Sequence, residues 1–252
     1  MATPAGGTSG QGPAAKQLIR ERIWARLEQA GVALPPGARG RIPNFLGADA
    51  AAERLASLPE WRAAEVIKAN PDRAQIPVRA HALRAGKVVY MAVPALSRDH
   101  PFITLDPGII PAPVDRAADK DRALAIGEPT QINEMRRVDL AVAGSVAVNR
   151  EGARVGKGGG FSDIEIALLV EGGVIGSWTT IAATVHSLQV VDGPLPETSH
   201  DFRLDVIVTP DEVIRAVHPR PSPGIIWDDL TPEKIAAIPV LAARPGRPVC
   251  GS

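Results

Sequence analysis

Val138-Asp-Leu-Ala-Val-Ala143, Arg154-Val-Gly-Lys-Gly-Gly-Gly-Phe-Ser-Asp163 and Ile164-Glu-Ile-Ala-Leu-Leu-Val170 succeed one another in the second half of the chain. The first is almost continuously apolar, as expected of a strand covered on both faces in a parallel sheet, and the apolar character runs on to Val148. The last is helical in character, with a helix predicted over Asp163 to Glu171. Glycines 156, 158, 159 and 160 lie between them. Such a loop lets backbone N–H groups approach a ligand closely, and the helix N-terminus that follows favours an anion. Arg154 and Lys157 add positive charge, so the loop reads as a phosphate cradle. Asp163 would repel a phosphate unless a cation lay between them, and Mg²⁺ is the simplest cation for that place. Asp163 as a first-turn acid complementing the helix dipole is the plainer alternative, as a flexible surface turn is for the loop.

Neither common glycine fingerprint is met. A P-loop needs Gly-x4-Gly-Lys-Ser/Thr, and here Lys157 precedes the glycine run. The spacing Gly156-x-Gly158 starts a dinucleotide fingerprint, but Phe161 stands where the third glycine is wanted.

Working outward, Thr179 to Val185 and Arg203 to Val208 read as further strands. Upstream, a strand-like Glu65-Val-Ile-Lys68 leads through the Asn70-Pro-Asp72 turn to a helix over Ile76 to Ala85 and a strand over Lys87 to Val93. Asp49 to Ala56 and Arg116 to Ile126 are predicted helices, and Phe102 to Leu105 a short strand. Alternating strands and helices imply an α/β three-layer sandwich around a mostly parallel sheet. A first helix is predicted over Lys16 to Ala30, with Lys16, Arg20, Ile23 and Leu27 on one face. Two basic residues on an inward stripe contact either a phosphate or solvent at the edge of the core. Residues 1–13 are read as a disordered tail, 14–217 as the domain, and 218–252 as a proline-rich extension with a short helix near 232–238.

Composition excludes several classes. The 252 residues carry equal numbers of acidic and basic side chains, so bulk nucleic-acid binding is not favoured. No apolar run is long enough for a membrane span. The single cysteine, Cys250, excludes an internal disulfide and a thiolate cluster, and fits a cytoplasmic location. A monomer or homodimer acting on a small molecule is the expectation.

The pattern Arg154, Gly156, Gly158, Gly160, Phe161, Asp163 resembles the signature of the 5-formyltetrahydrofolate cyclo-ligase family. Lys16-x3-Arg20, Gly127-Glu128-Pro129, Val138-Asp-Leu140, Gln189, Pro196, His200-Asp201 and Asp205 to Thr209 follow in that family's order, over roughly residues 14–215. Arg41-Ile-Pro-Asn-Phe45 and Lys68-x-Asn70-Pro-Asp72 resemble its divergent branch, the synthetase-domain-containing paralogues. The resemblance implies a Rossmann-like cyclo-ligase fold with ATP and Mg²⁺ as cofactors. It implies a reaction in which the formyl oxygen of 5-formyltetrahydrofolate attacks the γ-phosphate. Ring closure then gives 5,10-methenyltetrahydrofolate, ADP and phosphate. Arg154, Lys157 and Asp163 are the catalytic candidates, with Asp163 at the metal. Lys16, Arg20, Gly156, Gly158, Gly159, Gly160 and Phe161 would bind the nucleotide.

Asp72, Gln75, Glu128, Trp178 and His186 are candidate substrate contacts. Each has a plainer reading: a helix cap for Asp72, a turn for Glu128, core packing for Trp178 and a structural role for His186. The family's usual pattern has a lysine between its second and third glycines and ends Tyr-Tyr-Asp. This chain has Gly159 and Phe161-Ser162-Asp163, which removes two phenol groups. A paralogue that acts on another substrate, possible links to thiamine chemistry included, or that binds without catalysis, therefore stays open.

Overall fold

A computed structural model of the chain describes residues 11–217 and 223–244. Helices α1 (Gln11–Gln29), α2 (Ala48–Ala56) and α3 (Pro59–Ala63) precede strand β1 (Val66–Ala69). Next come α4 (Ile76–Arg84), β2 (Val88–Ala92), β3 (Phe102–Leu105), α5 (Lys120–Ile126) and β4 (Glu128–Thr130). Strands β5 (Leu140–Val142), β6 (Ala147–Asn149) and β7 (Arg154–Val155) lead to α6 (Phe161–Glu171). Strands β8 (Thr180–Thr184), β9 (Val190–Val191), β10 (Val206–Val208) and β11 (Val213–Arg215) follow, then α7 (Pro232–Ala236) and α8 (Pro239–Ala242).

Eight strands form one sheet in the order β11-β10-β8-β5-β1-β2-β3-β4. Strands β10, β8, β5, β1 and β2 run parallel. Antiparallel strands close both edges. Pro129 lies on the outermost strand, β4, where a missing N–H breaks no interior ladder.

Side-chain alternation sorts the two faces. Val66, Ala141, Ala143, Ile181 and Ala183 pack with Ile164, Ile166, Leu168 and Leu169 from the α6 segment. Ile67, Ala69, Leu140, Val142 and Ala182 pack against Leu55 of α2 and Val78, Ala82 and Leu83 of α4. Both faces are covered, which is why 138–143 is apolar without a period of two. The result is the expected α/β sandwich.

Four local expectations are revised. The apolar run to Val148 is two strands, β5 in the large sheet and β6 in a small one of order β7-β6-β9. Gly144 separates them at a place where a Cβ would lie 2.8 Å from Asp72 Oδ2, so a larger residue would push the Asp72 side chain aside. The helix predicted over Arg116 to Ile126 is a 3-10 turn, Val114–Ala118, followed by α5. Asp119 interrupts it as an N-cap, accepting from the N–H groups of Asp121 and Arg122.

The first helix begins at Gln11, so residues 11–13 belong to it and not to a tail; residues 1–10 lie outside the described chain. The extension carries the expected short helix as α7 and adds a second one, α8, between 223 and 244. Thr231 caps α7, and Ile238 and Leu241 enter the core that contains α6. Residues 218–222 and 245–252 lie outside the described chain.

Candidate active site

A cleft of about 630 Å³ opens at the carboxyl end of β1, beside the glycine loop. The chain moves from β1 to β2 on one side and later returns to β5 on the other. Open parallel sheets bind ligands at such a reversal, because the loops leaving the two strands part there.

Helix α1 crosses this opening. Its Ile23, Trp24 and Leu27 pack with Val146, Ala147 and Val155 of the small sheet. The same face carries Lys16 and Arg20, both buried, into the cleft. Lys16 Nζ donates to Asp201 at 2.5 and 2.7 Å. Arg20 Nε donates to the Gly156 carbonyl at 2.7 Å. Burial lowers the Arg20 pKa, partly opposed by the Asp201 charge. Burial alone would raise the Asp201 carboxyl, but the Lys16 ammonium and Thr198 together hold it below the usual carboxylate range.

A group depressed in the folded state stabilises the fold above its unfolded value and loses that contribution as pH falls through its folded value. The stability difference between the wild type and Asp201→Asn is therefore expected to be full at neutral pH. It should shrink below about pH 4. Thermal unfolding of both proteins from neutral to acid pH checks this; a constant difference would contradict it.

The glycine loop leaves β7 and enters α6. Gly158 has φ 106° and Gly160, the N-cap of α6, has φ 69°, a region only glycine adopts without strain. A Cβ on Gly158 would lie 3.4 Å from the Arg20 guanidinium. The first N–H groups of α6 have no helical partner and open towards the loop.

Arg154 is buried on β7. Its Nη2 donates to Asp163 Oδ1 at 2.6 Å, and its guanidinium lies 4.0 Å from the Phe202 ring centroid. Its Nε is buried without a recorded partner. Lys157 reaches Asp72 from across the cleft at 3.4 Å.

The cleft thus gathers Lys16, Arg20, Asp72, Arg154, Gly156, Lys157, Gly158, Gly159, Gly160, Phe161 and Asp163. Four candidates do not line it. Trp178 precedes β8, at the opposite end of the parallel sheet, with Arg137 4.7 Å from its ring centroid. Glu128 is exposed on β4, the far edge strand. Gln75 is fully buried behind the cleft, at the start of α4. His186 caps the turn after β8: its Nδ1 accepts from the Leu188 N–H at 3.0 Å, and its ring packs edge-on to Phe45. Burial lowers its pKa.

Other residues emerge only in three dimensions. Lys68 of β1 donates to Glu165 of α6 at 2.6 Å and to Asn70 at 2.9 Å. Asn70 donates in turn to Ser162 Oγ at 3.1 Å. A charge in each of two otherwise apolar segments was the available signal for this pair. Arg79 of α4 fixes the turn after β1 by donating to the carbonyls of Asn70 and Ala118, and burial pushes its pKa down to about 10. Lys234 of α7 donates to the Gly159 carbonyl at 2.5 Å. Among the described residues, no three His, Cys, Asp or Glu side chains converge as a metal-binding group. No described helix is long and apolar enough to cross a membrane.

Fold and site together define a doubly wound α/β domain with a cleft rich in basic side chains at the carboxyl ends of its strands. The chain matches the sequence profile of the 5-formyltetrahydrofolate cyclo-ligase family over residues 13–210, and it belongs to that family. It is 39% identical over 233 residues to the methenyltetrahydrofolate synthase domain-containing protein of Mus musculus, covering 90% of this chain and 62% of that protein. The protein of the same name from Homo sapiens is 35% identical over 239 residues, covering 92% and 62%. The chain therefore spans about three fifths of the length of these curated relatives. The mitochondrial 5-formyltetrahydrofolate cyclo-ligase of Arabidopsis thaliana is 32% identical over 108 residues, covering 41% of this chain and 36% of that protein. The solution structure of Aquifex aeolicus 5,10-methenyltetrahydrofolate synthetase superposes with a TM-score of 0.52 at 20% identity. It covers 81% of this chain and 94% of that one, and so shares the fold.

Proposed function

We propose that the chain is an ATP- and Mg²⁺-dependent cyclo-ligase that converts 5-formyltetrahydrofolate to 5,10-methenyltetrahydrofolate with release of ADP and phosphate. The observation that carries this reading is the meeting of α1, β7, the glycine loop and the N-terminus of α6 around one cleft. Its size lies in the range that takes a small organic ligand, roughly 300–1,000 Å³.

Phosphoryl transfer needs positioning and charge neutralisation more than covalent chemistry from the protein. The N–H groups of 156–160 and of the first turn of α6 would hold phosphate oxygens. Lys16, Arg20 and Lys157 would neutralise them, and Arg154 would face the transferred group. The donor set suits Mg²⁺: this hard ion takes one or two carboxylates and completes its shell with phosphate oxygens and water. Asp163 lines the cleft with Arg154 on one oxygen, and it would hold the ion. Bound Mg²⁺ would supply neutralisation of the phosphate oxygens. Asp72 and Asn70, across the cleft, are the polar groups best placed for the acceptor heterocycle.

A second reading is favoured by the Phe161-Ser162 pair. Neither side chain is a phenol; Ser162 Oγ is engaged by Asn70 and the Phe161 ring packs against Lys234. It is a nucleotide-binding relative that acts on another small molecule or is catalytically silent.

The test is near-ultraviolet absorbance of methenyltetrahydrofolate with 5-formyltetrahydrofolate, ATP and Mg²⁺. Growth that needs all three is the expected result. A flat trace with ATP still bound would instead support the second reading.

A further inference from the structure

Beyond residue 210 the chain leaves the segment matched to the family, yet it returns to the glycine loop. Ile225 N–H donates to Glu171 at 2.8 Å, at the end of α6. Asp229 accepts from Ser199 at 3.0 Å and pairs with the His200 ring at 2.9 Å, next to Asp201. Ile238 and Leu241 are wholly buried. These anchors hold residues 224–234 beside the loop, where they form one side of a second, open pocket of about 270 Å³. Its walls include Ile164, Ala167, Ile226 and Leu230, and it shares Gly158, Gly159, Gly160 and Asp163 with the main cleft.

Lys234 lines the second pocket and touches this shared wall at Gly159. Its ammonium is 3.5 Å from the Phe161 ring centroid and bonded to the Gly159 carbonyl. The other lysines buried or lining the cleft near the loop face carboxylates: Lys16 faces Asp201, Lys68 faces Glu165 and Lys157 faces Asp72. Lys234 instead faces a neutral carbonyl and the electron-rich face of a ring. Loss of solvent lowers its pKa. An ammonium has three donors, and a desolvated cation with weak partners gains most from an anion brought beside it.

We infer that Lys234 is a phosphate-binding residue supplied to the glycine loop by the carboxy-terminal segment, held by the Phe161 ring until a nucleotide arrives. This rests on the nucleotide reading of the cleft. It also gives Phe161 a function where the family's usual pattern carries a tyrosine: the ring seats the ammonium on its face.

The experiment is calorimetric titration of the full chain with MgATP and, separately, with adenosine, for the wild type, Lys234→Met and Lys234→Arg. Loss of one charge-assisted phosphate contact corresponds to roughly tenfold weaker binding. The expected result is a tenfold weaker MgATP affinity in Lys234→Met, largely recovered in Lys234→Arg, with adenosine unaffected. Unchanged MgATP affinity in Lys234→Met would overturn the inference while leaving the nucleotide reading intact. Equal losses for adenosine and MgATP would also overturn it, because Lys234 would then only pin the segment. A wild type that binds no MgATP would overturn the nucleotide reading and this inference with it. Matching thermal unfolding of the three proteins shows that the fold is kept.

Discussion

Lys68→Met is expected to destabilise the domain by about 3–5 kcal/mol, the usual cost of leaving one member of a buried ion pair without its partner. The side chains of Lys68 and Glu165 are 1% and 5% exposed, so water cannot take the place of the lost ammonium. Glu165 would then either stay charged in the interior or take up a proton, and both cost free energy. The double variant Lys68→Met/Glu165→Leu removes both charges and should recover most of the loss. Denaturant unfolding of the wild type, each single variant and the double variant measures this. A single-variant loss well under 1 kcal/mol would mean that solvent reaches the pair.

The second large effect concerns activity. Asp163→Ala is expected to reduce Mg²⁺-dependent turnover by about a thousandfold, the scale on which removing a preorganised charged group acts. Arg154→Lys keeps the charge but loses the planar fork that bonds Asp163, and should lose about a hundredfold. Both are read in the methenyltetrahydrofolate absorbance assay across a Mg²⁺ titration. Asp163→Ala that turns over at the wild-type rate would remove Asp163 from the site. Because Asp163→Ala leaves the Arg154 guanidinium buried, thermal unfolding must accompany the rates. Arg154 still contacts the Phe202 ring, so a folded Asp163→Ala protein is expected.

The parts of this architecture that local pattern determines were readable in the sequence. Residues 138–143 are apolar on both faces because α6 packs on one and α2 and α4 on the other. The glycines at 158 and 160 stand where the backbone turns left-handed. Lys16 and Arg20 share a helical face with Ile23 and Leu27, and that face is buried. What escaped the sequence depends on the direction of strands. Trp178 and His186 flank the same strand, and only the parallel topology shows that Trp178 lies at the wrong end for the cleft. Glu128 fails for a related reason, since no local signal places β4 at the sheet edge. Lys234 is distant in sequence from the loop that it touches, and its linking residues follow no periodic pattern. The Lys68–Glu165 pair left a trace, one charge in each apolar segment, but only the packing of α6 on the sheet gives it meaning.

The neutrality of the whole chain is not repeated inside the cleft, where seven Lys and Arg side chains face four Asp and Glu. Lys16, Arg154 and Lys157 already hold Asp201, Asp163 and Asp72. A polyanion entering here would meet that positive excess, and at these three places it would also displace a carboxylate from the cation that it satisfies. The excess would draw an anion towards the opening, and capture would then depend on an exchange of partners. On the nucleotide reading, the same carboxylates would return to their cations as the spent nucleotide leaves, and each departure would be assisted by a returning counter-charge. A cleft arranged this way trades tightness of hold for ease of renewal.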